Sequence, residues 1–346
     1  MSTINFNNTA IPPSSTLVPY FPEETELLNL AKKITNEFFL YVYPPVFGIG
    51  SSWNMLIIIY FIKTNSKNLR KMSSHHFLIV CLSTSDLFVS IGMTIPMYYY
   101  SHSESWKFGE FGCSIVFPFI KNACPMISTW ILVLISFARY RSIVYPLHAR
   151  ISKRKYGLAC LLILIFSCLS NIRMFLKTKL KETQDSSKCS FTGSKNDLLI
   201  QITLNYSLDS FIPLAIMLIF YYKMKKRMIA EEKANSFALN DQSRQRNRRA
   251  LRIIKGLIFL FTVTVILVRL FIIYFSNLNK YIRNTNPLFK KIFNTFYLTK
   301  YPLVVMTFYF NNILNIFIYA KMIPGFRRFL LTVFTFGLYG RRNAIN

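Results

Sequence analysis

Seven long apolar runs, each parted from the next by a short polar or charged stretch, constrain this chain more than any other feature. They cover roughly residues 38–62, 75–98, 111–139, 156–172, 199–222, 251–275 and 294–320. A helix rising about 1.5 Å per residue needs about 20 residues to cross ~30 Å of hydrocarbon, and only the fourth run falls short of that. Backbone polar groups in lipid must be satisfied within the segment itself, which makes helices the natural solution. The expected fold is therefore an all-α membrane protein. It comprises an N-terminal tail over 1–37, a seven-transmembrane helix bundle over 38–322, and a short amphipathic eighth helix with a tail over 323–346.

Basic residues set the expected orientation. With the N-terminus outside, the inner segments 63–76, 139–155, 223–255 and 321–346 hold 26 of the 42 Lys and Arg, and the outer segments hold 13. Three more, Lys121, Arg269 and Lys300, lie within runs. This two-to-one excess predicts an extracellular N-terminus and a cytoplasmic C-terminus, in a multi-pass protein of the plasma membrane. It also accounts for the net charge of +28, which in a soluble chain would suggest nucleic acid; no nucleic-acid-binding motif accompanies it. The first 37 residues lack the apolar core of a cleaved signal peptide, so the first run is expected to serve as its own export signal.

Asn7-Asn8-Thr9 is a glycosylation sequon, usable at Asn7 if this end is outside. Asn205-Tyr206-Ser207 fits the same pattern inside an apolar run, beyond the transferase's reach. Of six cysteines, Cys81, Cys124, Cys160 and Cys168 fall within runs, where free thiols behave as small hydrophobes. Cys113 and Cys189 are the only pair at the outer side, and one disulfide between them is the simplest inference. Past Pro324-Gly325, the residues Phe326, Phe329, Leu330, Val333 and Phe334 repeat with helical spacing, predicting a helix that lies along the inner membrane surface.

Polar residues inside the runs are few. Asp86 sits mid-run, Asn54 in the first, Ser128 in the third, and Asn311, Asn312 and Asn315 in the seventh. Such residues act as hydrogen-bonding glue between helices, or together form a hydrated cation site. Arg139, at the foot of the third run, either snorkels to the water boundary or serves a switch with Tyr140 beside it.

In order along the chain stand Asn54, Leu82-to-Leu87 with Asp86, Trp106-Lys107-Phe108-Gly109 before Cys113, and Arg139-Tyr140 with Pro146-Leu147. Pro213 with Tyr221, Asn315 and Tyr319, and the phenylalanine–arginine amphipathic helix follow. With these pieces the chain resembles a rhodopsin-like (family A) G-protein-coupled receptor over roughly residues 38 to 334, of the invertebrate peptide-receptor type. The resemblance implies that Arg139, Tyr221 and Tyr319 form a cytoplasmic switch. It implies that Asp86, Ser128, Asn311 and Asn315 match sodium-binding positions, sodium being the one allosteric cofactor it brings. It also implies that Cys113 and Cys189 tether the second outer loop to the third helix, and that a heterotrimeric G protein is the inner partner. Departures are equally specific. Ala138 replaces the acid before the arginine, Ile316 the proline after Asn315, and Phe166 the fourth-helix tryptophan. Val265 and Leu267 stand where the sixth helix would carry tryptophan and proline.

Lys121 lies near where amine receptors carry an aspartate, and it would repel an ammonium ligand. With Arg269 and Lys300 it suggests a ligand bearing a carboxylate, most simply a peptide; Asp209 is the competing internal partner for one of these bases. The basic inner segment between the fifth and sixth runs suits a G-protein α subunit, anionic lipid headgroups, or both. A retinal-binding lysine has no counterpart, since Tyr309 holds the corresponding position. A transporter or channel would call for internal repeats or a polar path, which the chain lacks. HExxH, GxSxG and phosphate-loop motifs are also missing, which argues against an enzyme. A divergent receptor without G-protein coupling is the remaining alternative.

Overall fold

The computed structural model describes residues 22–65, 72–103, 105–147, 151–183, 186–233, 241–267, 269–270, 310–321 and 323–335. Helix α1 spans Pro22–Thr64. It starts well before the predicted crossing, and Pro22 is a residue type that suits a first helical turn. Its apolar part, Leu40–Thr64, keeps the predicted location. Helix α2 spans Ser74–Ser103 and α3 spans Gly109–Val144. Helix α4, Lys153–Ser170, is capped by the Ser152 hydroxyl, which accepts from the Lys155 backbone N–H. Helix α5 runs unbroken through Lys195–Tyr206, Ser207–Phe211 and Ile212–Lys233, entered through a reciprocal Ser194–Asp197 capping box. Helix α6 comprises Asp241–Phe261 and continues through Thr262–Ile266. Residues 310–321 form the described part of α7, and α8 is Pro324–Phe334.

Four of these helices are long and apolar enough to cross a membrane by length and composition: Leu40–Thr64, Ser74–Met93, Gly109–Val144 and Asn196–Lys233. α1 packs mainly on α2, and α3 packs on both α2 and α5. A large core cluster joins them through Leu78, Leu132, Met217, Met224, Ile254 and Phe261. On α4 the apolar residues Leu158, Leu161, Leu162, Ile165 and Leu169 face outward, as a helix in contact with lipid requires. α8 divides its apolar residues. Phe326 and Leu330 are buried against Ile57 and Phe61 of α1, whereas Val333 and Phe334 remain exposed.

The fold is all-α as expected, with one short strand pair in a connecting loop. Between α4 and α5 an antiparallel hairpin forms from β1 (Thr178–Glu182) and β2 (Ser187–Phe191), with Leu180 opposite Cys189. Alternation there is weak in sequence, and long-range ties hold the strands. Cys189 is disulfide-bonded to Cys113 at the outer end of α3. The Trp106 N–H donates to the Ser187 carbonyl at 2.7 Å, and the Ser187 hydroxyl donates to the Trp106 carbonyl at 2.7 Å.

Four π-helical segments interrupt the described helices: Gly112–Val116, Phe119–Ala123, Ser207–Phe211 and Thr262–Ile266. Each of the first three ends two residues before a proline, namely Pro118, Pro125 and Pro213. Proline lacks the N–H that would close the ladder, and a widened turn absorbs the resulting clash. Before Pro213, the Leu208 carbonyl instead accepts from the Trp130 indole at 2.9 Å, which joins α3 to α5. The fourth segment has no proline. There the Thr262 and Thr264 hydroxyls donate to the Ile258 and Leu260 carbonyls, each at 2.8 Å, and such back-bonding loosens a helix.

Gly92 marks the closest approach of α2 to the second widened turn of α3. A Cβ built there would lie 2.3 Å from the Ile120 Cδ1 and 3.0 Å from both its γ carbons. Gly92→Ala should therefore destabilise the protein by about 1–3 kcal/mol. Adding Ile120→Val should recover part of that loss, as read from thermal unfolding of detergent-purified protein.

Candidate functional site

The polar residues of the bundle fall at three levels. Towards the hairpin end of the bundle, Asp209 lies in the widened turn of α5 and Arg269 just past the widened turn of α6. Both are buried, and the guanidinium donates to the carboxylate at 2.7 Å. The guanidinium also lies 4.7 Å from the centroid of the Tyr206 ring, a cation–π contact from one turn earlier in α5. Arg269 is thus held by the internal partner, not left as an isolated cation. Lys121 is exposed on α3, its Nζ 5.4 Å from the Phe117 ring centroid, away from this pair's partners. Lys300 and Asn7 lie outside the described residues.

At mid-depth Asp86 is fully buried, and the Asn315 side-chain amide donates to its Oδ2 at 3.0 Å, tying α2 to α7. Its Oδ1 has no hydrogen-bond partner, nor does the buried Ser128 hydroxyl beside it. Two unspent oxygen ligands of this kind, one of them anionic, suit a hard cation such as sodium. Asn311 turns elsewhere: its Oδ1 accepts from the Thr264 hydroxyl at 3.3 Å, joining α7 to the widened turn of α6. Asp86, Ser128 and Asn315 therefore come together, and Asn311 joins a neighbouring contact. Asn54 donates to the Gly50 carbonyl at 3.0 Å and to the Asn312 carbonyl at 3.3 Å, fixing α1 to α7.

At the end of the bundle opposite the hairpin, Arg139 lines a cavity of about 670 Å³ between the ends of α2, α3 and α6. Its Nε is buried without a hydrogen-bond partner. Tyr140 stacks on Phe220 of α5 with ring centroids 5.0 Å apart, and Tyr221 packs against the same core. Tyr319 is buried in the separate cluster with Ile57, Phe61 and Phe326, its hydroxyl unpartnered. The three switch residues are thus on three helices around the inner end, with no hydrogen bond joining Arg139 Nε to the Tyr319 hydroxyl. The second sequon residue, Asn205, accepts from the Gln201 side-chain amide at 2.8 Å within α5. His75 and His76 are also at this inner level. Both line the same cavity, beside Arg139.

Membrane-length helices gathered around a buried polar centre, with a disulfide-held loop at one end and an arginine at the other, define a multi-pass helical membrane protein. The chain belongs to the 7 transmembrane receptor (rhodopsin family), whose model matches residues 53–319. That is a family of receptors, not enzymes. The chain is similar to the tachykinin-like peptides receptor 86C of Drosophila melanogaster, with 33 % identity over 32 % of this chain and 21 % of the relative. It is similar to neuropeptide receptor 22 of Caenorhabditis elegans, with 31 % identity over 39 % of this chain and 31 % of the relative. A rhodopsin of Cambarus maculatus shares 29 % identity over 54 % of this chain and 61 % of its own length. In each case the match spans less than two thirds of the relative.

Breaking the Asp209–Arg269 pair should leave an uncompensated buried charge. Arg269→Gln and Asp209→Asn are each expected to cost about 3–5 kcal/mol of stability, and the double change clearly less than the sum of the two. Thermal unfolding of the four proteins in a double-mutant cycle measures it.

Proposed function

We propose that this protein is a plasma-membrane receptor, its N-terminus outside and its C-terminus in the cytoplasm, that couples an extracellular peptide to nucleotide exchange on a heterotrimeric G protein. The observation that carries the reading is the family match across residues 53–319, with Arg139-Tyr140 at an inner mouth beneath a disulfide-tethered outer hairpin. A peptide is favoured because two of the relatives described above bear peptide-receptor names and because Lys121 opposes an amine ligand. In this reading an acidic group of the ligand competes with Asp209 for Arg269, loosening α5 from α6 at their widened turns, with Lys121 and Lys300 as further candidates for its charge. Asn7 carries glycan, α8 rests its exposed Val333 and Phe334 on inner-leaflet lipid, and nucleic acid has no part.

Activation needs a change at the inner end, which Arg139, Tyr140, Tyr221 and Tyr319 would supply. With Ala138 beside it, Arg139 has no neighbouring carboxylate to hold a resting state. Ligand-free second-messenger output should therefore be higher in the wild type than in Ala138→Asp at matched surface expression; equal outputs would refute a weakly latched resting state. Peptides screened on cells expressing the receptor and a promiscuous G protein test the function itself. Solute or ion flux without nucleotide exchange on any heterotrimer would overturn it.

Sodium, in the same reading, sits against Asp86 and Ser128 with Asn315 positioning the carboxylate, and favours the inactive packing. Exchanging sodium for an organic cation should raise agonist affinity in the wild type and change it little in Asp86→Asn, measured by equilibrium binding.

A further inference from the structure

The inner mouth has a charge problem that the chain does not solve. The cavity of about 670 Å³ is lined by His75, His76, Arg139, Arg141 and Arg246 among others, and none of its described lining residues is acidic. A smaller adjoining cavity of about 170 Å³ shares His75, His76, Arg139 and Arg246, and adds Arg249 and the entry to α8 at Ile323 and Pro324. The His75 Nδ1, the His76 Nδ1 and the Arg139 Nε are all buried with no hydrogen-bond partner. The sequence explains why no carboxylate arrives. The inner segments contain three acids, Glu231, Glu232 and Asp241. Glu231 is paired with Arg227 and Glu232 with Arg248, each at 2.8 Å. Asp241 opens α6, ahead of Arg246 in sequence.

The buried Arg139 Nε and the two orphaned ring nitrogens require an anion or water, and the exposed Arg246 and Arg249 stand at the rim of the same mouth. We propose that the mouth is a binding site for a small polyphosphate anion of the inositol phosphate class, either free in the cytoplasm or as the headgroup of an inner-leaflet lipid. Guanidinium groups pair bidentately with phosphate, and Arg139, Arg141, Arg246 and Arg249 supply four of them from two helices. His75 and His76 add hydrogen bonds from α2, and the positive end of α8 adjoins the smaller cavity. The volume is that of a small-molecule pocket. A single monovalent anion would leave most of this charge uncompensated; several phosphates on one ring would not. The bound anion would replace the missing carboxylate as a removable latch on Arg139. On the signalling reading above, it would also occupy space a transducer needs.

The test uses the full-length receptor in nanodiscs of phosphatidylcholine, with radiolabelled inositol hexakisphosphate as probe and no G protein present. Saturable binding is expected, and Arg246→Gln/Arg249→Gln should weaken it by roughly tenfold or more, since hydrogen bonds to charged groups are lost. Both arginines are exposed, so glutamine there leaves the packing intact; His75→Ala, from a different helix, should weaken binding as well. Arg327→Gln/Arg328→Gln, on the exposed side of α8, should leave the probe's affinity unchanged. Nanodiscs containing phosphatidylinositol bisphosphate identify the source. Loss of probe binding there assigns the site to the lipid headgroup, and retention assigns it to the free anion; either supports the site. Absence of saturable binding, or equal affinity in wild type and Arg246→Gln/Arg249→Gln, overturns it. Because no transducer is in the assay, binding without nucleotide exchange would leave this site standing and refute only the signalling function.

Discussion

A carboxylate placed in hydrocarbon has no water to solvate it, so the helices around Asp86 must supply what water would. Asn315 reaches it from α7 and Ser128 stands beside it on α3, while Asn54 ties α1 to the Asn312 carbonyl of α7 and Asn311 ties α7 to α6. This polar centre is only partly satisfied: Asp86 Oδ1, Asn54 Oδ1 and the Ser128 hydroxyl keep spare capacity. In a low-dielectric interior each spare oxygen carries a free-energy penalty, which any packing that paired it would relieve. Bundles with such centres are held together and yet are able to repack.

The widened turns give that repacking a place to occur. Three of them precede prolines and are a local consequence of the missing N–H. The fourth, in α6, depends on the Thr262 and Thr264 hydroxyls and achieves the same loosening in a helix without proline. Asp209 and Arg269 stand at or just beyond two of these turns. Their ion pair therefore fastens α5 to α6 where both ladders are weakest.

Much of the architecture was legible from the seven runs because hydrocarbon thickness dictates helix length directly. The first helix ran further than expected because a polar helix outside the membrane leaves no hydropathy signal. The hairpin was missed for a different reason. Its strands are short, Lys179 and Lys181 flank a lone Leu180, and the disulfide and the Trp106 contacts stabilise it from afar. Of the site, Asp86 with Asn315 followed from the cost of burying polar groups. The pairing of Arg269 with Asp209 was foreseen as an alternative, but the choice between ligand and internal partner depends on helix rotation, which composition does not encode. The histidines at the inner mouth gave no legible signal, since their meaning comes from Arg139 and Arg246 on other helices.

The bond between Cys113 and Cys189 makes the outer hairpin and the top of α3 one covalent body. α3 is 36 residues long, about 54 Å of continuous helix with Arg139 near its far end. The point of attachment lies inside one widened turn, Gly112–Val116, and a second, Phe119–Ala123, follows shortly after it. Such a rod can swivel at its head while its lower shaft stays straight. Any rotation of the hairpin would be taken up in those two turns before it reaches the straight part of the rod.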